Sequence, residues 1–331
     1  MKTRAVVFAA PGEVSFDTIE MPPPLPGQVQ IETHFSTISA GTEGWALQDR
    51  FTWQKTPFPC VPGYQRVGVV RELGEGVTDF RVGERVFATV GVWDGPVKPQ
   101  WGSHAAVANT WAGEVYKLSP EIDAIDAAGT VVAQVGYNAA YRAVLKPGQW
   151  VVVYGDGIIG QSAAQAARSR GAKVILVGHR SERLDLGRRF SADVAIDNKK
   201  EDVAAVVKSH TGGANVTAVL DSVQHESAQR EYVPLLDHGA GQIVYCGFTP
   251  GNTWADMALL QQRELTTHYI SGWSRARMEA TLKLFATKAM SLKPLTTHLA
   301  PCATGPELYR KILTKSDSFL GLTLDWTGEH R

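Results

Sequence analysis

Two periods of apolar and polar residues divide this chain. Early on, Val29, Ile31, Thr33 and Phe35 alternate with Gln30, Glu32 and His34, the spacing of a strand with one buried face. Residues 3–9 read as another strand, and the proline-rich stretch from Pro22 to Gly27 reads as a stiff surface connection. Short strand patterns broken by glycine follow at 67–70, 83–87 and 105–107, and close turns between short strands predict a small β-barrel. Residues 124–144 carry helical spacing. From Trp150 onward, unbroken apolar runs alternate with helical stretches, a βαβ rhythm. The expected strands, at 150–154, 173–177, 193–196, 217–221, 242–247 and 267–271, are enough for a complete doubly wound parallel sheet. A helix is expected near 274–290 and a last strand at 320–325, with a tail too short for a further domain. The predicted fold class is therefore α/β: an N-terminal barrel completed by the C-terminus, plus a six-stranded doubly wound sheet.

The strand from Trp150 to Tyr154 runs into Gly155-Asp156-Gly157-Ile158-Ile159-Gly160 and then a small-residue helix ending at Gly171. G-x-G-x-x-G alone is a weak signal, but its place between strand and helix is where a dinucleotide site needs it. Gly155 permits the turn, Gly157 lets backbone approach a pyrophosphate, and Gly160 lets the helix pack on the strand. Ile158 and Ile159 open that helix, whose unpaired N–H groups favour phosphate. The alternative is a glycine-rich turn that binds nothing.

An NAD site wants an acid after the second strand to hold the ribose 2′-OH. Here that strand ends in Gly178, and His179, Arg180, Ser181, Glu182 and Arg183 follow. An empty acid position beside two guanidinium groups suits a 2′-phosphate, so NADP is the expected cofactor and NAD the alternative. Arg180 and Arg183 would otherwise be a solvated first turn of helix, with Glu182 pairing Arg183.

Composition narrows the partners. The 331 residues allow two domains, and 33 basic residues balance 33 acidic ones without a basic run, which argues against nucleic acid and anionic membranes. No apolar stretch approaches a membrane span, and Met1-Lys-Thr-Arg moves straight into a strand without a signal peptide. Three scattered cysteines, Cys60, Cys246 and Cys302, suit neither a disulfide framework nor a cysteine-built metal site, so a cytoplasmic enzyme is expected.

Taken together, Pro62-Gly-Tyr-Gln-Arg-Val-Gly-Val-Val70, Val82-Gly-Glu-Arg-Val86, the glycine turn and Pro294-Leu-Thr-Thr-His298 resemble the medium-chain dehydrogenase/reductase superfamily over nearly the whole chain. The resemblance implies a GroES-like catalytic domain at 1–135 and 274–331, a Rossmann domain at 136–273, and a homodimer paired through Rossmann sheet edges.

The departures are as telling. Zinc-dependent members have a cysteine where Ala40 stands, a His-Glu pair where Tyr64-Gln65 stands, and a cysteine or acid aligned with Gln134. The four-cysteine structural lobe is missing. A zinc site takes at least three thiolate, imidazole or carboxylate ligands, so no metal is expected. Within the zinc-free branch, Ser39-Ala-Gly-Thr-Glu43 with Val61-Pro-Gly-Tyr64 is similar to the bacteriochlorophyllide hydroxyethyl dehydrogenase group, which implies oxidation of a secondary alcohol.

Thr42 aligns with the proton-relaying hydroxyl of zinc members, and Tyr64 replaces a metal ligand. Glu43 is expected as base or orienter, with Gln65 and Gln134 donating to substrate. Glu43 could equally hold Arg66 or cap a helix at 43–49, and Tyr64 could simply fill the old metal cavity. His104 and His298 stand alone in the sequence, and neither is assigned a role. Trp45, Trp53 and Trp93 fall on segments that border the cleft in this superfamily, where flat faces suit a ring-shaped small molecule such as a sugar, cyclitol or aromatic alcohol. The competing readings are a quinone or enoyl reductase and a nucleotide-binding protein without catalysis.

Overall fold

The computed structural model describes residues 1–253 and 255–330. It divides into a first unit, Met1–Val131 with Thr296–Arg331, and a second, Val132–Leu295.

In the first unit, Gln28–Ile38 is the central strand. It pairs antiparallel with Arg66–Leu73 along most of its length, with Val107–Trp111 along its first part and with Leu322–Asp325 near its end. The alternation read from Val29 to Phe35 belongs to this strand, whose two faces serve two cores. Val29 and Ile31 join Val70, Phe80 and Val86, while Ile38 joins Val6, Phe8, Leu47, Tyr309, Leu322 and Trp326. The tail does return: His298–Pro301 pairs in parallel with Leu322–Asp325, which adds Thr323 beside Thr37 at a hydroxyl–hydroxyl distance of 2.9 Å. A second sheet joins Lys2–Ala10, Glu13–Glu20, Cys60–Val61 and Lys98–Pro99. Two helices, Ala40–Leu47 and Gly305–Thr314, meet at Gly44, where a Cβ would come within 3.2 Å of Ile312.

The second unit is a parallel sheet in the order Val194–Asp197, Lys173–Gly178, Trp150–Tyr154, Ala218–Asp221, Gln242–Tyr245, Thr266–Tyr269. In chain order this is 3-2-1-4-5-6, the doubly wound arrangement, with the glycine turn leaving the first, central strand at the switch point. Its central strands, buried on both faces, are continuous apolar runs such as Val151–Tyr154 and Val174–Val177. The helix Thr130–Arg142 crosses Ile158–Ser169 with backbones almost touching: a Cβ on Gly136 would lie 2.4 Å from the Ala163 nitrogen.

Two boundaries differ from expectation. Residues 132–135 and 274–295 belong to the second unit, not the first. The helix Arg275–Ala286 buries Met278, Leu282 and Phe285. Beyond it, the Gln165 side chain clasps Ser291, donating to its carbonyl at 3.0 Å and accepting from its N–H at 2.7 Å. That clasp ties the segment to the helix that follows the glycine turn, an attachment no local pattern reveals.

Candidate active site

The helix Ala40–Leu47 begins at Ser39, and its first turn turns its own acid inward. Glu43 Oε1 reaches back to accept the Ser39 N–H at 2.7 Å, so the carboxylate caps the helix it sits on. Its other oxygen accepts from the Tyr309 hydroxyl and faces His104 Nε2 at 2.9 Å. All three side chains are fully buried. His104 Nδ1 lies 2.7 Å from Ser36 Oγ, which accepts the Trp326 indole N–H at 2.8 Å. With a neutral imidazole the chain closes in one direction: Trp326 donates to Ser36, Ser36 to Nδ1, and Nε2–H to Glu43.

The backbone holds this cluster from both sides. His104 N–H donates to the Pro62 carbonyl at 3.0 Å and Ser103 N–H to Gly63 at 2.7 Å. Gly63 has a left-handed φ of +87°, and a Cβ there would lie 2.6 Å from the His104 ring. The Pro-Gly step of the sequence motif thus makes room for an imidazole.

Tyr64, next in the chain, is buried beside the side chains of Ser39 and Thr42. Burial, then the nearby Glu43 charge, push its phenol well above the ordinary value, opposed by those two hydroxyls. Tyr309 is raised by the same two causes. Both phenols are proton donors at neutral pH. The structure places Thr42, Glu43 and Tyr64 near one another, and it does not pair Glu43 with Arg66. The buried Arg66 guanidinium instead donates to the Thr89 and Ala108 carbonyls and the Ser103 and Thr110 hydroxyls, and burial pushes its pKa down to about 9.

Two expected substrate contacts give way to packing. Gln65 is fully buried and donates to the Thr37 carbonyl at 3.1 Å, stitching neighbouring strands. Trp93 is a core residue among Val7, Met21 and Val61, its indole donating to the Val97 carbonyl at 2.9 Å. Trp45 is half-buried against the Leu47 core, while Trp53 stays 56% exposed and tilts over Phe51 at 4.9 Å. A continuous aromatic row results: Trp53, Phe51, Trp101 and Tyr64, with Trp101 meeting Tyr64 edge-on at 5.3 Å. Trp101 holds a left-handed φ of +70°, which costs a bulky residue about 1–2 kcal/mol. Gln134, on the second unit, is buried, donates to Gly272 at 3.3 Å, and leaves its carbonyl without a partner among the described residues. His298 lies away from this cluster, 3.7 Å from Asp317.

His104 and Tyr309 were not legible as members. A single histidine carries no spacing signal, and Tyr309 lies 266 residues from the carboxylate it bonds.

On the second unit, Gly155 takes φ +111°, and a Cβ on Gly160 would fall 1.9 Å from the Gly155 carbonyl oxygen. Nothing lies within 4 Å of a Cβ on Gly157, which leaves its backbone open to a ligand. The helix Ile158–Ser169 starts there with its N–H groups free for phosphate. A cavity of about 370 Å³ adjoins the turn, lined by Asp156, Gly178, His179, Arg180, Lys199 and His225 among others. Asp156, which had no expected role, is almost fully buried and faces Arg180 and Arg183 at 3.4 and 3.5 Å. Burial and Arg180 push Arg183 below its usual value, while Asp156 opposes them. Ser181 opens the helix Ser181–Phe190.

Zinc fits poorly here. Ala40, Tyr64 and Gln65 offer none of its usual ligands, and no cluster of three or more His, Cys, Asp or Glu placed for a metal exists among the described residues. Nor, among them, is any helix long and apolar enough to cross a membrane.

A glycine-turned sheet in this strand order, on a chain that also carries a barrel with a buried acid–imidazole–phenol cluster, defines a dinucleotide-dependent oxidoreductase. Family models for the alcohol dehydrogenase GroES-like domain and the zinc-binding dehydrogenase match residues 25–98 and 159–287, together more than half of the chain. The chain belongs to the medium-chain dehydrogenase/reductase superfamily. An alcohol dehydrogenase of Geobacillus stearothermophilus is 30% identical over 210 residues, 57% of this chain but only 62% of that protein, less than two thirds of its length. A 2-desacetyl-2-hydroxyethyl bacteriochlorophyllide A dehydrogenase of Cereibacter sphaeroides is 26% identical over 337 residues, 98% of this chain and 99% of that one. Among solved structures, an alcohol dehydrogenase of Escherichia coli CFT073 complexed with NADH is alike in fold, with a TM-score of 0.84 at 21% identity over 98% of this chain and 99% of that one.

Proposed function

We propose that this enzyme interconverts a secondary alcohol on a ring-shaped molecule and its ketone, with NADP as hydride partner and without zinc. The observation that carries the reading is the buried phenol of Tyr64, set beside the Thr42 and Ser39 side chains and near the buried Glu43. The relatives' names, alcohol and hydroxyethyl dehydrogenases, support the reaction class.

The nicotinamide, when bound, supplies the hydride chemistry. Gly155, Gly157 and Gly160 with the N–H groups at Ile158 and Ile159 would hold the diphosphate, and Gly178, His179, Arg180, Ser181 and Arg183 would surround the adenosine end. This chain's part is to manage the oxygen of the substrate. Because Tyr64 stays protonated, it serves as a hydrogen-bond donor to the alkoxide-like oxygen, with Thr42 as its neighbouring relay. Glu43 already accepts three donors, so it acts behind Tyr64, fixing Ser39, His104 and Tyr309. The row Trp53–Phe51–Trp101–Tyr64 supports a flat, ring-shaped substrate.

The exposed edge strand Thr266–Tyr269, with Tyr269 70% exposed, supports a homodimer formed by edge pairing. Three buried free thiols support a reducing, cytoplasmic setting.

The test is a panel of ring alcohols, polyols, quinones and enones followed by nicotinamide absorbance, with Tyr64→Phe beside the wild type. A secondary alcohol should turn over, and Tyr64→Phe should lower kcat about 10²–10³-fold with the NADPH dissociation constant unchanged. Turnover only of quinones or enones, or full activity in Tyr64→Phe, would overturn the reading.

A further inference from the structure

The acid that an NAD site places after the second strand is absent at Gly178, yet a carboxylate occupies the spot. It comes from the glycine turn. A Cβ on Gly178 would lie 2.5 Å from the Asp156 Cβ and 2.6 Å from Oδ2, so the missing side chain is what lets Asp156 lie there. Asp156 Oδ2 accepts the N–H groups of both His179 and Arg180 at 2.9 Å. Oδ1 faces the guanidinium groups of Arg180 and Arg183 at 3.4 and 3.5 Å. The side chain is only 3% exposed, whereas that of Arg180 is 47% exposed and lines the adjoining cavity.

We propose that Asp156 is a positioning residue for nucleotide specificity: it fixes the 179–180 turn and holds Arg180 toward the 2′-phosphate of NADP. This rests on the NADP preference proposed above. The carboxylate is engaged by four donors, two backbone and two guanidinium, which leaves little capacity for a ribose 2′-OH. Its service to the ligand therefore passes through Arg180 and the turn.

The two possible roles of the charge predict opposite signs. Through Coulomb repulsion alone, Asp156→Asn removes a negative charge from beside a dianionic phosphate and should tighten NADPH. Through positioning, it loosens the turn and lets Arg180 swing into water, so NADPH should bind more weakly.

Fluorescence titration of NADPH and NADH would be run on the wild type, Asp156→Asn, Gly178→Ala, Arg180→Ala and the Asp156→Asn/Arg180→Ala pair, each checked for folding by its melting curve. Gly178→Ala keeps the charge but evicts the carboxylate, so it serves if Asp156→Asn misfolds. We expect Asp156→Asn and Gly178→Ala each to weaken NADPH on the order of tenfold or more while NADH shifts much less. In the Arg180→Ala background, Asp156→Asn should add almost nothing. Equal or tighter NADPH binding by Asp156→Asn, or additive losses in the pair, would overturn the proposal. Tighter NADH than NADPH binding by the wild type would instead defeat the NADP reading itself, and the Asp156 role with it.

Discussion

Replacing Glu43 by glutamine tests whether one carboxylate organises the first unit's site. Glutamine keeps the length and one carbonyl oxygen but turns the other oxygen into a donor. The least costly orientation points the new NH₂ at the Ser39 N–H, sparing the contacts to His104 and Tyr309. The new NH₂ and the half-buried Ser39 N–H are then left facing each other without an acceptor, at about 1–3 kcal/mol together, and the remaining contacts lose their charge-assisted strength, roughly 1 kcal/mol each. The sum is about 3–5 kcal/mol. For a unit of this size each kcal/mol moves the melting temperature by about 2–4 °C, so calorimetry should show a drop of roughly 6–20 °C. Tyr64→Phe is the control. It keeps the edge contact with Trp101 and loses only the hydroxyl, so it should cost about 1–2 kcal/mol. If Glu43→Gln melts within about 0.5 kcal/mol of the wild type, the carboxylate is not the centre the geometry makes it.

Gly160→Ala drives a Cβ into the Gly155 carbonyl, a backbone atom that cannot yield, and titration should show NADPH binding lost along with about 1–3 kcal/mol of stability. Burial raises the Asp221 carboxyl above its ordinary value despite N–H groups from Val223 and Gln224 and the Tyr232 hydroxyl. Its contribution is therefore full below the unfolded carboxylate pKa and is lost as pH rises through the folded one. Melting curves of Asp221→Asn across mildly acid pH should lack that decline; an unchanged pH profile would refute the assignment. Elemental analysis should find no stoichiometric zinc, and a chelator should leave turnover intact; about one zinc per chain would contradict this.

Much of this architecture was legible because it rests on local periods. The runs at Val151–Tyr154 and Val174–Val177 and the glycine turn each carry their structure in a few neighbouring residues. What escaped was set by contacts distant in sequence. Trp93 resembles any loop tryptophan until its indole is seen among Val7, Met21 and Val61. Glu43 was marked, but His104 and Tyr309 reach it from a loop and a helix far along the chain. The helix Arg275–Ala286 reads alike whichever unit it joins, and a glutamine clasp decided it. Asp156 hid in a variable position of a motif read for its glycines.

The first unit is discontinuous, and its core needs Leu308, Tyr309, Leu322 and Trp326 from the far side of a whole second unit. On the ribosome, residues 1–131 therefore emerge long before the side chains that cover Phe8, Ile38 and Leu47. The second unit, one uninterrupted stretch, is free to fold in the interval. Until residue 326 is released, the N-terminal segment displays an uncovered apolar face, and Glu43 and His104 wait without Tyr309 and Trp326. Slow synthesis of the last stretch would thus lengthen exposure to chaperones and aggregation without altering the finished enzyme.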